Sequence, residues 1–180
     1  MTLDHVALLV RSLESALERL AETGLAVGEI ESFPSEGTRE VYLGDPDLPG
    51  RLLLLESTGP GPYQRAFEKR GPGLHHVAIE VADPDAFAAD ARGWLLHPHS
   101  LQSQKGANTL WFARPGVGAL LEVTRGKARD AEPQVQVGVS LDDASLKTLL
   151  DLAPGLHAAE RGASWIEVAG APRVELADLS

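Results

Sequence analysis

The residues of this chain best suited to chemistry are two histidines and a glutamate, each carried on a short apolar run. His5 lies in Leu3-Asp4-His5-Val6-Ala7-Leu8-Leu9-Val10, and His76 in Leu74-His75-His76-Val77-Ala78-Ile79-Glu80-Val81. Glu122 lies in Gly118-Ala119-Leu120-Leu121-Glu122-Val123. The two histidine runs are copies of one pattern, and two copies of a unit can build a site between them. Imidazoles at equivalent strand positions, joined by a carboxylate, suit a divalent cation. Zn, Fe, Ni, Co and Mn all accept that donor set, so ligand type leaves the metal open. The chain has no cysteine, which confines any site to imidazole, carboxylate, amide and water ligands.

The elements that must position these residues read as repeated βαβββ units. The first unit, residues 1–57, has a strand at Leu3–Val10, a helix capped by Ser12 and stopped at Gly24, and strands near Ala26–Phe33, Arg39–Gly44 and Arg51–Ser57. Pro34-Ser35-Glu36-Gly37 and Asp45-Pro46-Asp47-Leu48-Pro49-Gly50 supply turn chemistry between those strands. Residues 58–73 form a linker in which Tyr63–Arg70 has room for one or two helical turns. The second unit, residues 74–125, predicts a strand at Leu74–Val81, a helix over Asp83–Ala91 with Pro84 in its first turn, and strands near Leu95–Ser100, Thr109–Ala113 and Gly118–Thr124. Residues 134–180 echo the pattern a third time: a strand at Val135–Leu141, a helix at Asp142–Leu152, and strands at Trp165–Val168 and Arg173–Leu176, with Gln136 where the histidines stand. The fold class is therefore α+β, with paired βαβββ modules forming an open, barrel-like mixed sheet and a degenerate third module at the C-terminus. A lone module leaves an apolar face exposed, so residues 134–180 are expected to pack on the two-module body or to pair across a two-fold axis in a homodimer.

Bulk properties exclude several classes. At 180 residues and 43% apolar, the chain can bury a core without disulfides. Its net charge of −10, with scattered Lys and Arg, argues against nucleic acid as a partner. No apolar run approaches the roughly 20 residues that span a bilayer, and no basic stretch followed by an apolar segment opens the chain. With no cysteine, this fits a cytoplasmic protein acting on a small molecule. Trp94, Trp111 and Trp165 read as core or interface residues. His97 and His99, at i and i+2, read as surface residues on one strand face, and Gly116–Gly118 lacks the spacing of a phosphate loop.

Leu3-Asp4-His5-Val6-Ala7, the run Phe67-Glu68-Lys69-Arg70-Gly71-Pro72-Gly73-Leu74-His75-His76-Val77-Ala78, and Gly118-Ala119-Leu120-Leu121-Glu122 together resemble segments of the vicinal oxygen chelate superfamily (glyoxalases, bleomycin resistance proteins and extradiol dioxygenases), and within it the methylmalonyl-CoA epimerase branch. The resemblance covers about residues 1–125. It implies one divalent metal held by His5, His76 and Glu122. It also implies a fourth ligand, Gln or Glu, at a position that falls here on Leu52 or Leu53; Glu56 would serve only if the strand register shifted. Glu36 matches a glutamate in the loop before the third strand, so the resemblance implies Glu36 and Glu122 as bases on opposite faces of an acidic Cα–H, with an acyl-CoA as one candidate substrate. Lys105-Gly106-Ala107-Asn108 matches a loop that would contact an anionic substrate or serve as an ordinary turn.

Three functions follow. The first is a metal-dependent isomerase, epimerase or lyase that abstracts a proton beside a carbonyl, in its sharpest form an epimerase of methylmalonyl-CoA type. The second is a non-catalytic small-molecule binder of drug-sequestering type, which leucine in place of the fourth ligand favours. The third is an Fe(II) dioxygenase, which needs only two histidines and one carboxylate.

Overall fold

The computed structural model describes residues 1–101, 108–115, 117–127, 129–140, 155–159 and 164–179. The first module is β1 (Thr2–Val10), α1 (Leu13–Leu20), β2 (Glu31–Phe33), β3 (Thr38–Leu43) and β4 (Arg51–Ser57). Ser12 caps α1 by accepting from the Ser15 N–H, and Gly24, at φ 70°, ends the 3-10 turn that follows. After α2 (Pro62–Arg70) comes the second module: β5 (Gly73–Val81), α3 (Pro84–Asp90), β6 (Leu95–Leu96), the helical turn α4 (Pro98–Leu101), β7 (Thr109–Ala113) and β8 (Leu120–Arg125). Asp83 caps α3 by accepting from the N–H groups of Asp85 and Ala86.

The two modules share one eight-stranded mixed sheet in the order β2-β3-β4-β1-β5-β8-β7-β6. Within each module the last strand returns parallel to the first, β4 on β1 and β8 on β5, and the modules join where β1 meets β5 antiparallel. The sheet does not close into a barrel, since no pairing among the described residues links β2 to β6. One face carries the main core: Leu3, Leu8 and Leu52 meet Leu13 and Leu20 of α1, all 2% exposed or less. Each such side chain contributes about 1.5–3 kcal/mol relative to exposure. The opposite face holds a smaller apolar patch, Ala7, Leu9, Leu53 and Leu55, against Tyr42, Tyr63 and Phe67. That second face is the concave side on which the functional residues converge.

Two predicted strands are shorter than expected. The segment Ala26–Phe33 is extended only over Glu31–Phe33, apart from a single bridge between Val27 and Leu43. The predicted strand Leu95–Ser100 stops at Leu96, because Pro98 suits the first turn of a helix and opens α4. His97 and His99 therefore do not share a strand face.

The C-terminal segment forms a separate four-stranded sheet from β9 (Val135–Ser140), β10 (Leu156–Ala159), β11 (Trp165–Val168) and β12 (Val174–Glu175), closed by a 3-10 turn at Leu176–Leu179. Its order is β10-β9-β11-β12, with β9 central and parallel to β10. It thus departs from the connectivity of the two modules and from the expected third copy. Apolar alternation marks a half-buried strand but does not specify its neighbour. The predicted helix Asp142–Leu152, the residues Lys105-Gly106-Ala107 and Gly116 lie outside the described residues. The sheet packs on the two-module body. Val135, Val137, Leu156, Ile166, Leu176 and Leu179 join the main core, and the Gln134 amide exchanges hydrogen bonds with the backbone of Asp45. No helix among the described residues is long and apolar enough to cross a membrane.

Candidate metal centre

The register of the central strands brings the three residues together. Across β4, β1, β5 and β8 one row runs Arg51, His5, Ala78, Glu122, and the next runs Leu53, Ala7, His76, Leu120. On β8, Glu122 stands two residues beyond Leu120, the partner of His76; on β4, Leu53 stands two residues beyond Arg51, the partner of His5. Leu53 is therefore the counterpart of Glu122 in the first module, and it lines the cavity with the histidines, whereas Leu52 turns to the main core. Glu56 lies elsewhere, accepting from the Leu13 N–H at 2.9 Å and pairing with Arg39.

His5 Nε2 lies 3.1 Å from His76 Nε2, and Glu122 Oε2 lies 3.6 Å and 3.4 Å from those two atoms. Each histidine is held from behind by the residue that precedes it. Asp4 Oδ2 is 2.7 Å from His5 Nδ1, and His75 Nδ1 is 2.8 Å from His76 Nδ1. Adjacent strand residues normally point to opposite faces. Here the pairing of β1 with β5 skips Asp4, between Leu3 and His5, and skips His75, between His76 and Leu74. Two β-bulges thus re-aim the two supporting residues.

The local electrostatics follow from burial and these contacts. Burial resists ionisation of Asp4, but the His5 hydrogen bond and charge, with Arg129 and Arg51, hold its carboxyl well below the usual range. An ionised Asp4 accepts from His5 Nδ1–H, which leaves Nε2 as the lone-pair nitrogen. Burial lowers His75 to about 4 and, with the neighbouring His5 and His75, holds His76 well below its ordinary value, so both are neutral near pH 7. His75 Nδ1 can then accept from His76 Nδ1–H, freeing the second Nε2. Two imidazole nitrogens and a carboxylate oxygen then face one another across 3.1–3.6 Å, a donor set that a cation would join. Metal–ligand bonds of about 2.0–2.2 Å put donor atoms roughly 3.0–3.5 Å apart, near the spacings seen here. The donor set fits a divalent metal, and among the described residues it is the cluster of three such ligands that closes on one point.

The cavity over this trio, of about 150 Å3, is also lined by Glu40, Tyr42 and Glu36. Glu40 and Tyr42 alternate on β3 opposite Leu55 and Leu53, which aims both into the concave side. Burial, then the charges of Glu36 and Glu31, raises the Glu40 carboxyl against a hydrogen bond from Thr38 at 2.9 Å. Glu122 is likewise raised, by burial first, opposed by His5 and reinforced by Asp4 and Glu40. Tyr42 is pushed up to about 12 by burial and the Glu122 charge, and so stays protonated. Glu36 sits at the rim, in the turn before β3, and reaches the Tyr63 hydroxyl. A second cavity of about 640 Å3 continues outward past Glu36, Tyr63, Trp111 and His75. A third, of about 480 Å3, follows at Arg65, Lys69 and Arg70.

The structure thus joins His5, His76 and Glu122 and puts Glu36 at the mouth. Trp94 is buried as expected, but Trp111 lines the cavity, its ring edge-on to His76 at 4.9 Å. His97 lines the second cavity instead of facing solvent alone. Asp4, His75 and Glu40 are functional candidates that sequence reading missed. The repeated position before each histidine, and the period-2 spacing of Glu40 and Tyr42, are the signals that could have found them.

Residues 4–112 match the sequence profile of the glyoxalase/bleomycin resistance protein/dioxygenase superfamily, and the chain belongs to that superfamily. Solved structures similar to it include methylmalonyl-CoA epimerases. The Mycobacterium tuberculosis epimerase is 25% identical with a TM-score of 0.54, over 71% of this chain and 89% of that one. The Streptomyces coelicolor epimerase, solved as a Glu→Gln variant with 2-nitronate-propionyl-CoA, is 27% identical with a TM-score of 0.55, over 71% and 99%. An epimerase solved with methylmalonyl-CoA and NH4+ is 28% identical with a TM-score of 0.54, over 71% and 95%. No curated protein is a match.

Proposed function

We propose that this protein is a divalent-metal-dependent enzyme that moves a proton at the carbon beside a carbonyl, with an acyl-CoA thioester as substrate and epimerisation as its outcome. The observation that supports this reading is a three-ligand cluster sharing one small cavity with Glu40, a carboxylate that burial makes more basic. His5, His76 and Glu122 would hold the metal, which when bound would supply Lewis acidity toward the carbonyl oxygen, worth several kcal/mol. Glu40 takes the proton as the Cα–H bond breaks and its electron pair moves toward the carbonyl. Glu122, which lines the same cavity, is the second base that the family resemblance implies and would return a proton to the opposite face of the carbon. Glu36, exposed at the rim, serves as the residue whose charge lifts Glu40 and whose carboxyl meets Tyr63. In this reading Glu40 takes the place that the family resemblance assigned to Glu36. Tyr63 and Trp111 wall the passage, and Arg65, Lys69 and Arg70 suit the phosphates of a long anionic ester.

Two measurements test the proposal. Calorimetric titration with Zn2+ and Co2+ is expected to show one site in the wild type and none in His5→Ala or His76→Ala. Mass spectrometry of methylmalonyl-CoA incubated in D2O is expected to show exchange of the α-hydrogen. A wild type that binds none of Zn, Co, Mn, Ni or Fe(II) removes the metal-enzyme reading. Metal binding without exchange favours the sequestering alternative, for which apolar Leu53 in a ligand position is the supporting feature. Oxygen uptake by the Fe(II) form would instead favour the dioxygenase.

A further inference from the structure

We infer that Arg129 is a positioning residue for His5, acting through Asp4, so that the segment entering the C-terminal sheet completes the metal centre. The inference rests on the reading of His5 as a ligand. Arg129 lies beyond the residues that match the superfamily profile, yet its Nη2 donates to Asp4 Oδ1 at 2.7 Å while Asp4 Oδ2 takes His5 Nδ1–H at 2.7 Å. One carboxylate is thus gripped on both oxygens, by the tail on one side and by the ligand on the other. The same guanidinium donates to Glu80 Oε2 at 2.9 Å and to the Leu48 carbonyl at 3.1 Å, and the Arg129 N–H donates to Thr2 Oγ1 at 3.0 Å. Arg129 therefore ties β1, β5 and the loop before β4 to one point.

The two histidines differ in what this support demands. His76 leans on His75, a buried imidazole whose Nδ1 lies 2.8 Å from its own. His5 leans on a charged carboxylate placed on a bulge, whose other cation, Arg51, stands at 3.4 Å. Without Arg129, Asp4 keeps only that longer contact and can rotate away from Nδ1. His5 then loses the partner that fixes its tautomer with Nε2 free. Partners of this kind behind a ligating histidine typically change metal affinity by about 10–100-fold.

The test uses the full-length chain, Zn2+ titration by calorimetry, and long-range 1H–15N spectra of the metal-free protein, which report the His5 tautomer. Asp4→Asn is expected to weaken Zn2+ binding by about 10–100-fold and Arg129→Met by about ten-fold. Combined, they are expected to lose no more than Asp4→Asn alone, because Arg129 acts through Asp4. Gln134→Ala cuts a different tie between the tail and the body; it is expected to lower Tm and leave the affinity unchanged. Arg129→Lys keeps the charge but cannot hold Asp4, Glu80 and Leu48 together, so a several-fold loss is expected there too. The inference is overturned if whichever Arg129 variant folds binds Zn2+ as the wild type does, if the losses add, or if Gln134→Ala loses as much. Should the wild type bind no metal, the metal reading fails and the spectra still decide this one: a His5 tautomer unchanged by Arg129→Met overturns it.

Discussion

Leu53→Gln should make the metal-free protein less stable and the metal site stronger. Leu53 is 3% exposed, packed in the patch with Ala7, Leu9 and Leu55, and occupies the strand position that Glu122 holds in the second module. Burying an amide there without a partner costs about 1–3 kcal/mol. For a chain of this size, a loss near 2 kcal/mol lowers Tm by roughly 4–8 °C. Against that, the amide oxygen becomes a fourth donor. Four-ligand zinc sites are worth about 10–16 kcal/mol, or roughly 3 per ligand. A neutral amide that must first be ordered should return less, so affinity is expected to rise by about ten- to a hundred-fold, or 1.4–2.8 kcal/mol. Calorimetric titration with Zn2+, paired with thermal melts with and without metal, reads both effects. Leu52→Gln is the control: Leu52 is 0% exposed and faces the main core, so it should destabilise with no gain in affinity. A folded Leu53→Gln protein with wild-type affinity, or an equal gain in Leu52→Gln, would refute the placement of Leu53 opposite Glu122.

Glu40→Gln is expected to cut α-hydrogen exchange by about 10²–10⁴-fold with Zn2+ affinity retained, as loss of a general base does; the same change at Glu36 should cost far less, and the reverse order would return the base to Glu36. Stability should be flat above pH 6.5 and fall as the pH drops from there toward 4. His75 protonates at about 6.5 when unfolded but near 4 when buried, so the unfolded state gains the proton first. His75 accounts for about 3 kcal/mol of this loss, and denaturant midpoints measured across that range in wild type and His75→Asn check it: the variant should lose part of the slope, the remainder belonging to His76, which burial also holds well below its ordinary value. Reversing charge at the outer cavity with Arg65→Glu and Lys69→Glu should raise KM for an acyl-CoA while leaving kcat in place, and steady-state kinetics at low and high salt will show whether the wild-type KM carries that salt dependence.

The duplicated histidine pattern made the paired modules readable, because strand alternation and a recurring motif are local properties of the chain. Convergence of His5 and His76 followed from the same repeat. What remained unreadable depended on pairing. Whether Leu52 or Leu53 faced the site turned on a one-residue register, and a one-residue slip reverses every side chain of a strand. Glu40 looked like one more charged strand residue, because nothing local says that β3 presents it across from Leu55. The C-terminal strands β9 and β11 were visible as alternation, but their order was not, and β10 was missed altogether.

The same duplication explains why the site is lopsided. Each module contributes a histidine at the same place, a bulge just before it, and a residue on its last strand aimed at the cavity. The first module fills these with Asp4 and Leu53, the second with His75 and Glu122. A charged support therefore stands behind one ligand, and a charged ligand stands beside the other. Had both modules carried the carboxylate on the last strand, a second buried anion would sit by Glu122, Glu40 and Asp4, each raising the others' cost of ionisation. Leucine at position 53 removes that burden and leaves three donors with room beside them. An open coordination position is what a substrate oxygen needs, and what a closed structural site lacks. The leucine that weakens the site as a metal trap is therefore consistent with its use as a catalytic one.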